Sequence, residues 1–187
     1  MNQATYLNNQ FIIAMPGLAD PNFSHTVTYL CQHNEEGALG IVVNRSAEMK
    51  LGEIFKQMKI RVTASCAAET LVFAGGPVQQ DRGFVLHTAG GGWDVTMVVS
   101  ESISLTTSRD VIEAIAAGKG PDQYLVALGY AGWGEGQLEQ EILANAWLNT
   151  PYSKHVLFDT PINMRWRAAA GQIGIDINLL TTPAGHG

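Results

Sequence analysis

Apolar positions recur along this chain in two rhythms, and the rhythms mark out its elements. Gln10 to Met15 is a short dense run stopped by Pro16-Gly17, which predicts a buried strand. Thr26 to His33 sets Val27, Tyr29 and Cys31 against Thr26, Thr28 and Leu30, close to the two-residue repeat of a strand. Ala38 to Val43 is β-branched, and Asn34-Glu35-Glu36-Gly37 between the two supplies a turn, so the pair reads as a hairpin with a four-residue loop. Leu51, Ile54, Phe55 and Met58 then recur at helical spacing and predict a helix over Leu51 to Lys59. Further strands are expected at Thr70 to Ala74, Gly83 to His87, Val95 to Val99 and Ile103 to Thr106.

Ser108 can cap a helix that buries Val111, Ile112 and Ile115 and ends at Gly118. Tyr124 to Tyr130 is nearly continuous in apolar residues, as a central strand would be. Gly129 to Gly136 reads as a tight glycine-rich loop, followed by a helix to Trp147 that buries Leu138, Ile142 and Ala146. Val156 to Phe158 is expected as a short strand and Asn163 to Gln172 as a last helix, with a mobile tail from Thr181. Strands first in a meander, then helices alternating with strands, predict a mixed sheet with helices packed around it. The pattern has no repeat or linker, so one domain over residues 1–187 is expected.

Composition narrows the functional classes. With 187 residues, 46% of them hydrophobic, the chain can bury a full core. The net charge is −6 and its 11 basic residues are scattered, which argues against direct DNA contact. No Lys or Arg precedes Arg45, so no secretory signal is expected, and no apolar run approaches the ~20 residues that span a bilayer. Cys31 and Cys66 are lone thiols without CxxC spacing, which fits a reducing cytoplasm and no metal site. His25, His33, His87, His155 and His186 show no ligand spacing either.

The Gly132-x-Gly134-x-Gly136 run fails as a nucleotide fingerprint. Gln137 follows the third glycine, no Lys-Ser/Thr follows, and Glu135, Glu139 and Glu141 would repel a phosphate. Trp133 either stacks on a ligand ring or folds back over the sheet as a lid on the core, the commoner fate of tryptophan. Asn44-Arg45 and Gly75-Gly76-Pro77 each end a strand. If those ends share a rim with Gly132, Trp133 and Gly134, they form a cleft in which Arg45 clamps an anion. The alternative is an internal pair of Arg45 with Asp20 or Glu135. His87 closes a strand and is a candidate general base near that cleft, against the usual hydrogen-bonded imidazole. No catalytic constellation is legible and no cofactor is implied; the serines lack a Gly-x-Ser-x-Gly elbow.

Several short motifs in order resemble those of the AlgH/YqgE family of bacterial proteins. They are Phe11-Ile12-Ile13-Ala14-Met15-Pro16, Asp20-Pro21-x-Phe23, Gly37-Ala38-x-Gly40-x-Val42-x-Asn44-Arg45, Gly75-Gly76-Pro77-Val78, Gly83-Phe84-Val85-Leu86-His87 and the Gly129–Ile142 block. The resemblance runs from about Leu7 to the end. It implies an α+β fold whose branched, mainly antiparallel mixed sheet closes in part into a small barrel, surrounded by helices. The family has no agreed catalytic residues, so none carry over, and its transcriptional-regulator label finds no helix-turn-helix or basic face here. Gln32 departs from the acid that the resemblance leads us to expect. The leading expectation is a cytoplasmic protein that binds a small molecule or peptide as a regulatory adaptor, at Asn44, Arg45, Gly75, Gly76, Pro77, His87, Gly132, Trp133 and Gly134. The alternatives are an enzyme of unrecognised type, such as a hydrolase, and a transcriptional regulator.

Overall fold

A computed structural model describes residues 5–180. In chain order its strands are β1 (Gln10–Ala14), β2 (Val27–Asn34), β3 (Gly37–Val42), β4 (Ser46–Lys50), β5 (Leu71–Ala74), β6 (Val78–Thr88), β7 (Thr96–Val98), β8 (Ile103–Thr106), β9 (Tyr124–Trp133) and β10 (Trp147–Pro151). The helices are α1 (Leu51–Gln57), α2 (Arg109–Ala116), α3 (Gln137–Leu143), α4 (Arg165–Gly171) and α5 (Ile177–Leu180). The chain is α+β, and pairing is antiparallel except for β5 against β9. Pairing branches at β9, whose residues Val126–Leu128 join β5 and whose residues Ala131–Trp133 join β3. This is the branched, mainly antiparallel arrangement that the family resemblance implies.

The described chain resolves into two compact units. The first takes in the residues up to Asn44 and those from Ala131 onward. Its strands run in the order β10-β1-β2-β3 and end on the last three residues of β9. Ile12, Leu30, Trp133, Leu138 and Trp147 meet in its core. The second unit is Arg45–Tyr130, with strands in the order β4-β5-β9-β6-β8-β7. There α1 and α2 lay Leu51, Ile54, Phe55, Val111, Ile112 and Ile115 against Val72, Val85 and Val126 of the sheet. The three-to-four spacing read in the sequence is the buried stripe of each helix.

Four expectations need correction. Gly129 to Gly132 is not loop: β9 runs through to Trp133, and the turn is confined to Gly134–Gly136. The helix after it stops at Leu143 instead of reaching Trp147, because Asn145 takes a left-handed φ of 61° and sends Trp147 into register with Ala14. Val156–Phe158 is a helical turn within His155–Asp159, since Thr160 closes it through its amide and its hydroxyl on the His155 carbonyl, at 2.8 and 2.9 Å. The β2–β3 hairpin is tighter than expected, with Asn34 paired to Gly37 and two residues between. The expected tail from Thr181 lies outside the described residues.

Candidate functional site

Within the second unit α1, β6, β9 and the start of α2 enclose a cavity of about 450 Å³. Its floor is made of the buried Ile54, Val85, Ile112 and Val126, and Met49, Met58 and Leu128 are half-buried in its walls. At the mouth stand the exposed side chains of Gln57, Asp81, Arg82 and Arg109. No ionisable group lies among the floor and wall residues. An apolar interior with a few polar groups at its rim is the usual build of a small-molecule site, and the volume falls in the usual range.

The rim depends on an irregular β6. Its partner register on β9 jumps from Val78–Tyr130 to Gly83–Leu128, so Gln79 to Arg82 bulge out opposite Gly129 alone. Gln79 takes a φ of 49°, uncommon for a side-chain-bearing residue. Gly129 is what admits the bulge. Its φ is 78°, and a Cβ there would meet the Gly76 carbonyl oxygen at 2.4 Å and that of Val78 at 3.1 Å. Bulges commonly re-aim a side chain beside a site. Here the bulge carries Asp81 and Arg82 to the cavity mouth. The Arg82 guanidinium hydrogen-bonds the Gln79 side chain at 3.2 Å and lies 5.4 Å from the Phe84 ring centroid.

On the other side of the mouth Arg109 ties the two helices together. Its Nη2 donates to the Met58 carbonyl at the end of α1 at 2.7 Å, and its Nε donates to Glu113 at 2.7 Å. Asp110 anchors the start of α2 differently. It accepts from the Ser108 hydroxyl at 2.6 Å and from the Asp94 amide at 2.8 Å. The Ser108 bond holds its carboxyl below the usual carboxylate range. Ser108 precedes the helix as expected, yet its oxygen accepts from the Val95 amide instead of capping α2.

The sequence candidates divide between the units. In the second, Gly75 donates its amide to the Leu128 carbonyl at 2.7 Å, Gly76 presses on Gly129, and the Pro77 carbonyl accepts from Gln80. These three residues shape the bulge. The Arg45 carbonyl accepts from the Ala74 amide, which starts the β4–β5 pairing. His87 is fully buried, with Nδ1 on the Thr88 carbonyl and Nε2 on the Thr106 hydroxyl, both at 2.7 Å. The carbonyl can only accept, so Nδ1 carries the hydrogen and Nε2 accepts from Thr106. Burial pushes the pKa of His87 down and keeps it neutral.

In the first unit Asn44 accepts from the Val27 amide and donates to the His25 carbonyl, both at 2.9 Å. Gly132 pairs with Leu39, and the Gly134 amide donates to the Gln137 side chain at 3.0 Å. Trp133 is the last strand residue of β9 and only 6% exposed, so of its two expected fates it takes the one in the core. It packs with Phe23 and Trp147, and both indole N–H groups donate to Glu141 Oε1, at 3.1 and 3.0 Å. Glu139 meets the buried His33, whose Nδ1 accepts from the Leu7 amide at 2.9 Å. Two of the three acids near the glycine turn thus serve the core.

The cavity's own residues escaped the sequence reading. Gln57, Arg82 and Arg109 carry no motif, and they converge only through the bulge and the α1–α2 clasp. Among the described residues no three His, Cys, Asp or Glu side chains gather as a metal site would require, and no helix is long and apolar enough to cross a membrane.

An AlgH-like family profile matches residues 11–178. A UPF0301 protein from Methylococcus capsulatus is 54% identical over 186 residues, covering 100% of this chain and 99% of that one. Another from Thioalkalivibrio sulfidiphilus is 55% identical, covering 100% of each. The solution structure of the AlgH protein from Pseudomonas aeruginosa is 47% identical and superposes over 100% of both chains with a TM-score of 0.81. A crystal structure from Corynebacterium diphtheriae shares the fold at 16% identity, with a TM-score of 0.75 over 97% of this chain and 95% of that one.

Proposed function

The chain belongs to the AlgH-like family, and from that premise we propose that it is a small-molecule-binding protein of regulatory type whose ligand enters the cavity of the second unit. The carrying observation is the cavity itself, about 450 Å³ with an apolar floor and with Gln57, Asp81, Arg82, Thr107 and Arg109 at its mouth. Binding fits the wall chemistry better than turnover does. The one imidazole beside the cavity, His87, is buried and faces Thr106, which is itself 0% exposed. The Ser108 hydroxyl, which also lines the cavity, is engaged by Asp110 and the Val95 amide. Contact with duplex DNA is also disfavoured, because the eight basic residues of this unit are offset by nine acidic ones. The unpaired thiols, Cys31 buried and Cys66 exposed, suit a reducing compartment, and we place the protein in the cytoplasm.

The experiment is a metabolite panel scored by thermal shift on the wild type and on two cavity-filling variants, Leu128→Phe and Met49→Trp. Ligands of the cavity raise Tm in the wild type and lose most of that shift in both variants. Hits that stabilise the variants as strongly as the wild type would place the ligand elsewhere and end this reading.

A further inference from the structure

We infer that the ligand of this cavity is an organic monoanion, with an apolar body inside and a carboxylate held at the mouth by Arg82. This rests on the binding reading above and names its ligand class. Charged groups at the mouth come from two elements: Asp81 and Arg82 on the β6 bulge, and Arg109 on α2, where Glu113 pairs with it. Arg109 is already neutralised, since Glu113 accepts from its Nε. Arg82 is not. Among the described residues its contacts are one hydrogen bond to a neutral amide, Gln79, and the Phe84 ring, with no ion pair to the adjacent Asp81. A guanidinium has five N–H donors in a planar fork, so most of this fork is open beside an apolar hollow.

Gln57 and Thr107 line the same opening, each able to donate one further hydrogen bond. Nothing charged waits inside, so a ligand must leave its charge at the rim and bury only its carbon skeleton. Asp81, the carboxylate that lines the mouth, sets the charge number. A dianionic phosphate would meet its repulsion with one charge to spare, whereas a single carboxylate in the Arg82 fork is matched. The strained Gln79 belongs to this design, because it starts the bulge that carries Arg82 to the rim.

The test titrates the full chain with octanoate and with 1-octanol, which share a tail and differ in the head group, and follows amide chemical shifts. The expected result is octanoate binding about tenfold or more tighter than octanol, with shifts on the lining of the cavity. Arg82→Gln, a change at an exposed residue, removes that preference and leaves octanol binding unchanged. Arg82→Lys keeps part of it. Leu128→Phe weakens both ligands, and Met49→Trp repeats that result where Leu128→Phe alters the fold.

Equal affinity for the two compounds in the wild type, with both lost in the filled variants, overturns the anion assignment and spares the cavity. Octanoate binding that survives Leu128→Phe and Met49→Trp overturns both. No shift at the cavity residues up to millimolar octanoate also overturns the assignment. A preference that Arg82→Gln leaves intact removes Arg82 from the role.

Discussion

Gly129 shows how far one residue's backbone freedom reaches. Its left-handed φ and the Gly76 carbonyl 2.4 Å from a would-be Cβ together forbid a side chain. Gly136 has a similar φ of 69°, but nothing lies within 4 Å of its missing Cβ. The contrast separates conformational strain from collision. Gly136→Ala is expected to cost about 1–2 kcal/mol for the left-handed backbone. Gly129→Ala adds the collision and is expected to cost about 3 kcal/mol or more, since it strains φ and displaces the bulge. Urea titrations of both variants check the order. An equal cost would show that the Gly76–Val78 segment gives way freely.

Among the elements, the link between β9, α3 and β10 rests on Glu141. This α3 carboxylate accepts from the indoles of Trp133 on β9 and Trp147 on β10, which are 6% and 3% exposed. Glu141→Ala leaves two nearly buried N–H donors without an acceptor. At about 1–3 kcal/mol for each stranded group, a loss of roughly 2–6 kcal/mol is expected. Glu141→Gln keeps an acceptor oxygen and should lose less than half of that. The measurement is chemical denaturation followed by tryptophan fluorescence. Equal losses in the two variants would mean that charge, not hydrogen-bond satisfaction, holds these elements. α1 and α2 depend on the same logic at the Met58 carbonyl, where Arg109 satisfies the end of a seven-residue helix.

For the whole molecule, buried His87 makes stability depend on pH in one direction. Its folded pKa lies below the ordinary 6.5, while in the unfolded chain it titrates near that value. The unfolded state therefore binds more protons as pH falls below about 6.5, and stability drops. The contribution is fully present above that pH and is lost on acidification, at up to about 1.4 kcal/mol per pH unit for one proton. His87→Gln is expected to be less stable at pH 7.5 and to show a flatter decline between pH 6.5 and 5. An unchanged slope in that variant would assign the acid sensitivity to other groups.

The features legible along the chain are local and periodic. Alternation gave β2, β-branched residues gave β3, three-to-four spacing gave the buried stripes of α1 and α2, and motifs in order gave the family and its α+β sheet. Those signals arise within a few residues of one another, where chain geometry fixes which side chains share a face. β4 and β10 stayed hidden because each is set by a distant partner: Ser46–Lys50 by β5, Trp147–Pro151 by β1. Only the folded chain shows that Glu139 and Glu141 serve the core of the first unit and that Arg82 reaches a cavity mouth. Each of these outcomes depends on which atoms lie nearby after the chain returns on itself. No spacing along the chain encodes that return.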